Sequence, residues 1–140
     1  MVNRIDKFTQ SDRKNQIYSD FLTDLNPHPV SKDIVRFVNE NAVIRSIKNL
    51  IATDKGERLY QPNLGSDINR LLFEPMGQGI ADMISTAVQQ TITTHEPRAR
   101  VLRVTTLADM DAGRYIVTVT IMVINKQEPI SFNVALTRVR

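Results

Sequence analysis

The segment Ile80–Arg98, IADMISTAVQQTITTHEPR, decides how this chain is read. Ile80, Met83, Ile84, Ala87, Val88, Thr91 and Ile92 recur at intervals of three and four, which places them on one face of a helix. That face has to be buried, while Asp82, Ser85, Gln89, Gln90 and Thr93 face water or a wet interface. Pro97 ends the helix, because it has no N–H to donate and its ring pushes Glu96 out of the α region. Glu96 then sits at the negative end of the helix, where the macrodipole disfavours an anion by a few tenths of a kcal/mol to about 1 kcal/mol. A carboxylate there needs a cation nearby. With the backbone extended through Pro97, Glu96 and Arg98 project to the same side. Two readings follow: a helix stop flanked by two solvated charges, or a carboxylate–guanidinium fork that docks on a partner or clamps the helix to a sheet.

After Arg98 the period of the sequence changes from helical to alternating. Ala99–Leu107 (ARVLRVTTL) reads as a strand, Asp109–Gly113 as a turn and Arg114–Asn125 as a long strand. In the long strand Tyr115, Val117, Val119, Ile121 and Val123 share one face, and Ile116, Thr118, Thr120, Met122 and Ile124 the other. Both faces are apolar or β-branched, so this strand belongs in the middle of a sheet, with helices or another subunit over its second face. A last strand, Ile130–Val139, follows the turn at Lys126–Glu128. It turns Ile130, Phe132, Val134 and Leu136 one way and Ser131, Asn133 and Thr137 the other, with Phe132 expected in the core. In a simple meander this strand lies at the edge, where Arg138 and Arg140 are the evident blocks to pairing. Either a partner strand or the N-terminal segment can cover it.

Working back from Ile80, Gly77-Gln78-Gly79 reads as a hinge and lacks the context of a phosphate loop. SDINRLLFE is a short helix with Ser66 as N-cap that buries Ile68, Leu71 and Leu72 and stops at Pro75. Gly56 is placed for positive φ in the turn Thr53–Gly56, and GERLYQP after it is expected to be extended. Asn39 or Asn41 caps a helix to Ala52 with a stripe of Val43, Ile44, Ile47, Leu50 and Ile51. Ile34–Val38 reads as a short strand, Asn26–Pro29 as a loop and Ile17–Phe21 as extended, preceded by a polar arm. The fold class is α+β: an antiparallel meander of three or four strands with two or three helices on one face. Residues 1–30 form an arm and loop, and 31–140 one α+β domain.

The 140 residues suffice for one domain with a core, and the 41% apolar content is that of a folded protein. Lys plus Arg number 18 against 15 Asp plus Glu, scattered without a basic run, so no nucleic-acid partner is expected. There is no Cys, which excludes disulfides, thiol catalysis and thiolate metal sites. No signal peptide or membrane span is expected, and the protein should be soluble. His28 and His95 have no metal-site spacing, and no Gly-x-Ser-x-Gly elbow occurs, so neither cofactor nor metal is expected. Glu57, Glu74 and Glu96 are of the type a glycosidase uses, but each sits at an element boundary and reads as structural.

Taken in order, the motifs are Tyr18-Ser19-Asp20, Arg45-Ser46-Ile47-Lys48-Asn49, Thr53 with Lys55-Gly56 and Arg58, Pro62 with Gly65, Leu72-Phe73-Glu74, and Glu96-Pro97-Arg98. In this order and spacing the chain resembles the baseplate wedge family of contractile-tailed phages, which includes a component of type VI secretion baseplates. The resemblance implies a structural, non-enzymatic protein of the virion tail baseplate, made and assembled in the bacterial cytoplasm. It implies as partners other wedge proteins, the tail sheath and, in the inner core, tail tube or hub proteins, with no membrane. It also implies that Glu96, Pro97 and Arg98 dock in the inner baseplate. Sheath strands would add along Ile130, Phe132, Asn133, Val134, Leu136 and Arg138 to template the first sheath ring. Arg45, Lys55, Gly56, Arg58, Pro62, Gly65, Leu72 and Phe73 carry the motif as scaffold. Some members are called lysozyme-like, so peptidoglycan hydrolysis is the enzymatic alternative.

Overall fold

In the computed structural model the residues described are 17–21, 27, 29, 32–34, 36–124, 126 and 128–137. The elements in chain order are β1 (Ser19–Phe21), β2 (Arg36–Val38), α1 (Glu40–Ala52), α2 (Ile68–Leu72), α3 (Gln78–His95), β3 (Ala99–Asp109), β4 (Arg114–Val123) and β5 (Ile130–Thr137). The chain divides into two compact units, Met1–Ala42 and Val43–Arg140.

In the first unit β1 and β2 pair antiparallel, Asp20 opposite Phe37. The strand expected at Ile34–Val38 is shorter, and Ile34 instead makes an isolated bridge to Pro27. Asn39 stands immediately before α1, but its side chain does another job there. Its Oδ1 accepts the backbone N–H groups of Ile17 at 3.0 Å and Tyr18 at 3.5 Å, and its own N–H donates to the Tyr18 carbonyl at 2.7 Å. Asn39 takes φ +52°, a left-handed conformation that Asn tolerates better than most residues.

The second unit is a three-stranded antiparallel meander, ordered β3-β4-β5, with the helices on one face. Opposite residues in antiparallel strands share a face. The inward rows are Ala108–Tyr115–Leu136, Thr106–Val117–Val134 and Val104–Val119–Phe132, continuing as Val101–Ile121–Ile130. A bulge at Leu102 separates the last two rows. Without that extra residue Arg103, Thr105 and Leu107 would face inward with Val101; with it, Val104, Thr106 and Ala108 do. As expected, β4 is central: Tyr115, Val117, Val119, Ile121 and Val123 are all buried. They meet Val43, Ile47, Leu50 and Ile51 of α1, Ile68 and Leu72 of α2, and Ala81, Ile84, Val88 and Ile92 of α3 in one core. Each Val, Leu or Ile side chain removed from water in this way stabilises the fold by roughly 1.5–3 kcal/mol.

Four local expectations are corrected. The buried stripe of α3 runs Ala81–Ile84–Val88–Thr91–Ile92, leaving Met83 53% exposed, because the helix is rotated toward its smaller residues where it lies on β3. Gln78 and Gly79 belong to the first turn of α3, and Gly77 before them donates to the Tyr115 hydroxyl at 3.3 Å. Ser66 does not cap α2: its hydroxyl donates to the Ile51 carbonyl at 2.9 Å, tying the loop to the end of α1. Phe132 is half-buried rather than in the core, because nothing among the described strands lies beyond β5; Lys48 Nζ stands 5.8 Å from its ring centroid, within cation–π range.

Candidate assembly site

At the end of α3 the chain makes three consecutive commitments. The Glu96 N–H closes the helix on the Ile92 carbonyl at 2.8 Å, the Glu96 carbonyl accepts from Ala99 at 3.2 Å, and the Arg98 carbonyl accepts from Ile124 at 3.0 Å. Helix stop and sheet start are therefore one piece of backbone, with Pro97 exposed at its corner. The side chains complete it. Arg98 Nε and Nη2 bind Glu96 Oε1 and Oε2 at 2.6 and 2.7 Å in a two-pronged fork, and the Ser46 hydroxyl of α1 donates to Oε2 at 2.6 Å. Glu96 is only 3% exposed, whereas the Arg98 side chain is 35% exposed.

Burial is the largest single influence on the Glu96 carboxyl and by itself pushes its pKa up. The hydrogen bonds from Arg98 and Ser46 and the Arg98 charge together outweigh it, so the carboxyl is held below its ordinary value and stays ionised. The cation that this helix end requires is Arg98, two residues away. Of the two readings of Glu96 and Arg98, a pair of solvated charges does not describe a carboxylate this buried; the fork clamps α3 to α1 and to β3. The Ser46 contribution could not be read from spacing, since 50 residues separate it from Glu96.

The motif residues between α1 and α2 build a second local structure. Gly56 takes φ +87° and donates to the Pro62 carbonyl at 2.9 Å; Lys55 N–H donates to Ser66 at 3.3 Å and Ser66 N–H to Thr53 at 2.9 Å. Gly65 has φ +123°, and a Cβ there would lie 2.6 Å from the Thr53 carbonyl oxygen, so only glycine permits the two backbones to cross. Lys55 pairs with Asp67, and Asp54 accepts Asn69 Nδ2 at 2.8 and 2.7 Å through its two oxygens. GERLYQP is thus a string of turns rather than an extended segment, because Gly56 and Pro62 pull its ends together. Leu72 is buried, Phe73 is exposed at the end of α2, and Arg45 is half-buried on α1.

The site residues on the last strand lie in β5, which ends the sheet among the described residues. Ile130, Phe132, Val134 and Leu136 are each half-buried on the helix side, and Asn133 is exposed on the other, opposite Thr118. Arg138, Val139 and Arg140 lie outside the described residues. Of the three carboxylates weighed for acid–base chemistry, Glu96 is held in its fork and Glu57 Oε2 accepts the Asp54 N–H at 3.0 Å. Glu74 is exposed after α2.

Among the described residues, then, α3 ends in a buried ionic clamp and the sheet ends at β5. Residues 38–128 match the family described as baseplate wedge protein gp25, and the chain belongs to that family, whose members are structural components of contractile-tail baseplates. It is 28% identical over 116 residues to the baseplate wedge protein gp25 of Enterobacteria phage T4, covering 83% of this chain and 87% of that one. The fold recurs in the anti-feeding prophage baseplate, with a TM-score of 0.67 and 21% identity over 79% of this chain and 89% of that one. It recurs also in a protein described as a putative tail lysozyme from Geobacter sulfurreducens, with a TM-score of 0.65 and 22% identity over 70% and 89% of the two chains.

Proposed function

We propose that the chain docks in the inner core of a contractile-tail baseplate beside other wedge proteins and tube or hub proteins, and starts the sheath by accepting its strands along β5. The observation that carries the second half is the edge itself. Among the described residues the eight of Ile130–Thr137 end the sheet, with an inward row of Ile130, Phe132, Val134 and Leu136 that is only half-covered. A partner strand would complete both the backbone ladder and the apolar face.

In this reading Glu96 acts from within. It is too buried to meet a partner directly, so docking falls to exposed Pro97 and the outer part of Arg98, which Glu96 and Ser46 hold in one orientation. A rigid guanidinium fork loses little conformational freedom on binding, which favours affinity. The protein works as a structural part and not as a lysozyme: Glu96 is committed as an anion and Glu57 is tied to its own turn.

The direct test is Asn133→Pro, which removes one N–H from the middle of the edge strand. A folded variant, checked by circular dichroism and thermal melting, is expected to enter the baseplate but fail to start sheath. Normal sheath assembly on it would rule out pairing through that group. A lytic role would show as release of peptidoglycan fragments that stops in Glu74→Gln; none is expected.

A further inference from the structure

The loop between α1 and α2 uses many interactions to hold up a tip that none of the described residues of its own unit covers. Its base is closed by the backbone bonds Gly56–Pro62, Lys55–Ser66 and Ser66–Thr53, and its arc by Gln61–Arg58 at 3.2 Å and Leu64–Gln61 at 3.0 Å. At its tip Leu59 is 91% exposed and Tyr60 97% exposed. Single apolar residues on a surface need no explanation, but two large neighbours fully in water on a pinned turn form a projecting knob. The charges around it differ in use. Lys55 is paired with Asp67, and Glu57 accepts from Asp54, whereas exposed Arg58, next to Leu59, has no side-chain partner among the described residues.

We propose that Arg58, Leu59 and Tyr60 form an anchor that inserts into an apolar socket with a carboxylate on its rim, presented by another protein of the baseplate. Tyr and Arg are the residue types that dominate binding energy at protein interfaces, and a prefolded loop loses little freedom when it docks. The uncommitted guanidinium sets the charge of the socket: a carboxylate beside the pocket meets it, and a basic rim repels it. The inference rests on placement in a baseplate but is independent of strand addition at β5.

The test uses the full chain co-expressed with the other baseplate wedge proteins of its source genome. The photoreactive residue p-benzoylphenylalanine at position 60 is expected to crosslink to one of them, at an apolar segment containing Asp or Glu. Leu59→Ser and Tyr60→Ser should each weaken binding to that purified protein at least tenfold with melting temperature unchanged, since neither side chain packs in the fold. Arg58→Glu should also weaken it, and a Lys in place of the partner's rim carboxylate should restore it. Unchanged affinity in the Leu59→Ser/Tyr60→Ser double variant overturns the anchor, as does failure of the wild type to bind any of those proteins. A crosslink only to a second copy of this chain overturns it in favour of self-association. Leu59-dependent binding to phosphatidylglycerol vesicles, with no protein crosslink, overturns it in favour of a lipid surface. If Asn133→Pro starts sheath normally while Tyr60→Ser loses its partner, strand addition fails and the anchor stands; the reverse result separates them the other way.

Discussion

The end of α3 and the tip of the loop before α2, where Arg58 is the motif residue, use charge in opposite ways. At the helix end the charges are turned on one another: Arg98 and Ser46 bind the Glu96 carboxylate, which is almost lost to water, while Arg98 keeps an outer part exposed. At the loop tip backbone bonds close the turn beneath while Arg58, Leu59 and Tyr60 are exposed. In the proposed reading the first region serves the fold and the second serves contact. Substitutions at the first region should move stability, and substitutions at the second should move association alone.

The largest effect is expected at Arg98. Arg98→Ala leaves a buried carboxylate without its cation and should cost about 3 kcal/mol, the low end for a broken buried pair because Arg98 is itself partly in water. Urea unfolding measures it, and a loss below about 0.5 kcal/mol would return the fork to the surface. For that reason a failed assembly in Arg98→Ala is not by itself evidence of docking. Arg98→Lys, which keeps the charge without the fork, combined with a folding check, is the cleaner probe.

Next in size is Gly65→Ala, expected to lower stability by about 2 kcal/mol or more, because the added Cβ meets the Thr53 carbonyl and positive φ disfavours an L side chain. It sharpens the comparison, since it disturbs the loop base without touching the tip. Ser46→Ala removes one of the three side-chain hydrogen bonds to the Glu96 carboxylate and should cost about 1.5 kcal/mol.

Acid titration tests the clamp with a sign as well as a size. The folded pKa of Glu96 lies below its unfolded value of 4.5. The clamp's contribution is therefore complete above about pH 4.5 and is lost as pH falls through the folded value. In Arg98→Ala burial still raises that pKa while the side-chain bonds and charge of Arg98 no longer lower it, so the folded pKa of Glu96 is expected to rise and its acid-induced loss of stability to shrink. The gap in melting temperature between the two proteins should therefore narrow as the pH falls through about 4.5, against the background from other carboxylates common to both. The smallest effect on stability is expected from Leu59→Ser and Tyr60→Ser, within about 0.5 kcal/mol as for ordinary surface changes.

Much of this architecture was legible from local pattern. The alternation of Tyr115–Val123 identified a central strand because a strand covered on both flanks has no room for charge, and Pro97 ended α3 because a ring cannot continue a helix. Gly56 announced its positive φ. Family membership was legible for a different reason: the order of short motifs from Tyr18 to Glu96-Pro97-Arg98 survives although no one of them is distinctive.

Tertiary structure decided what depends on residues far apart in sequence. A bulge at Leu102 reversed the facing of half of β3, and a one-residue change in register is invisible to a period-two pattern. Contact with β3 rotated α3 so that Ala81 is buried and Met83 is not. Asn39 and Ser66, both placed by residue type at helix starts, serve distant backbone groups instead. Glu96 and Arg98 were paired in the sequence by their spacing, but whether they faced water or the interior depended on where α1 brought Ser46. Local propensity sets which element forms and where it stops; only packing sets which way its side chains point, because burial is a property of the neighbours and not of the segment.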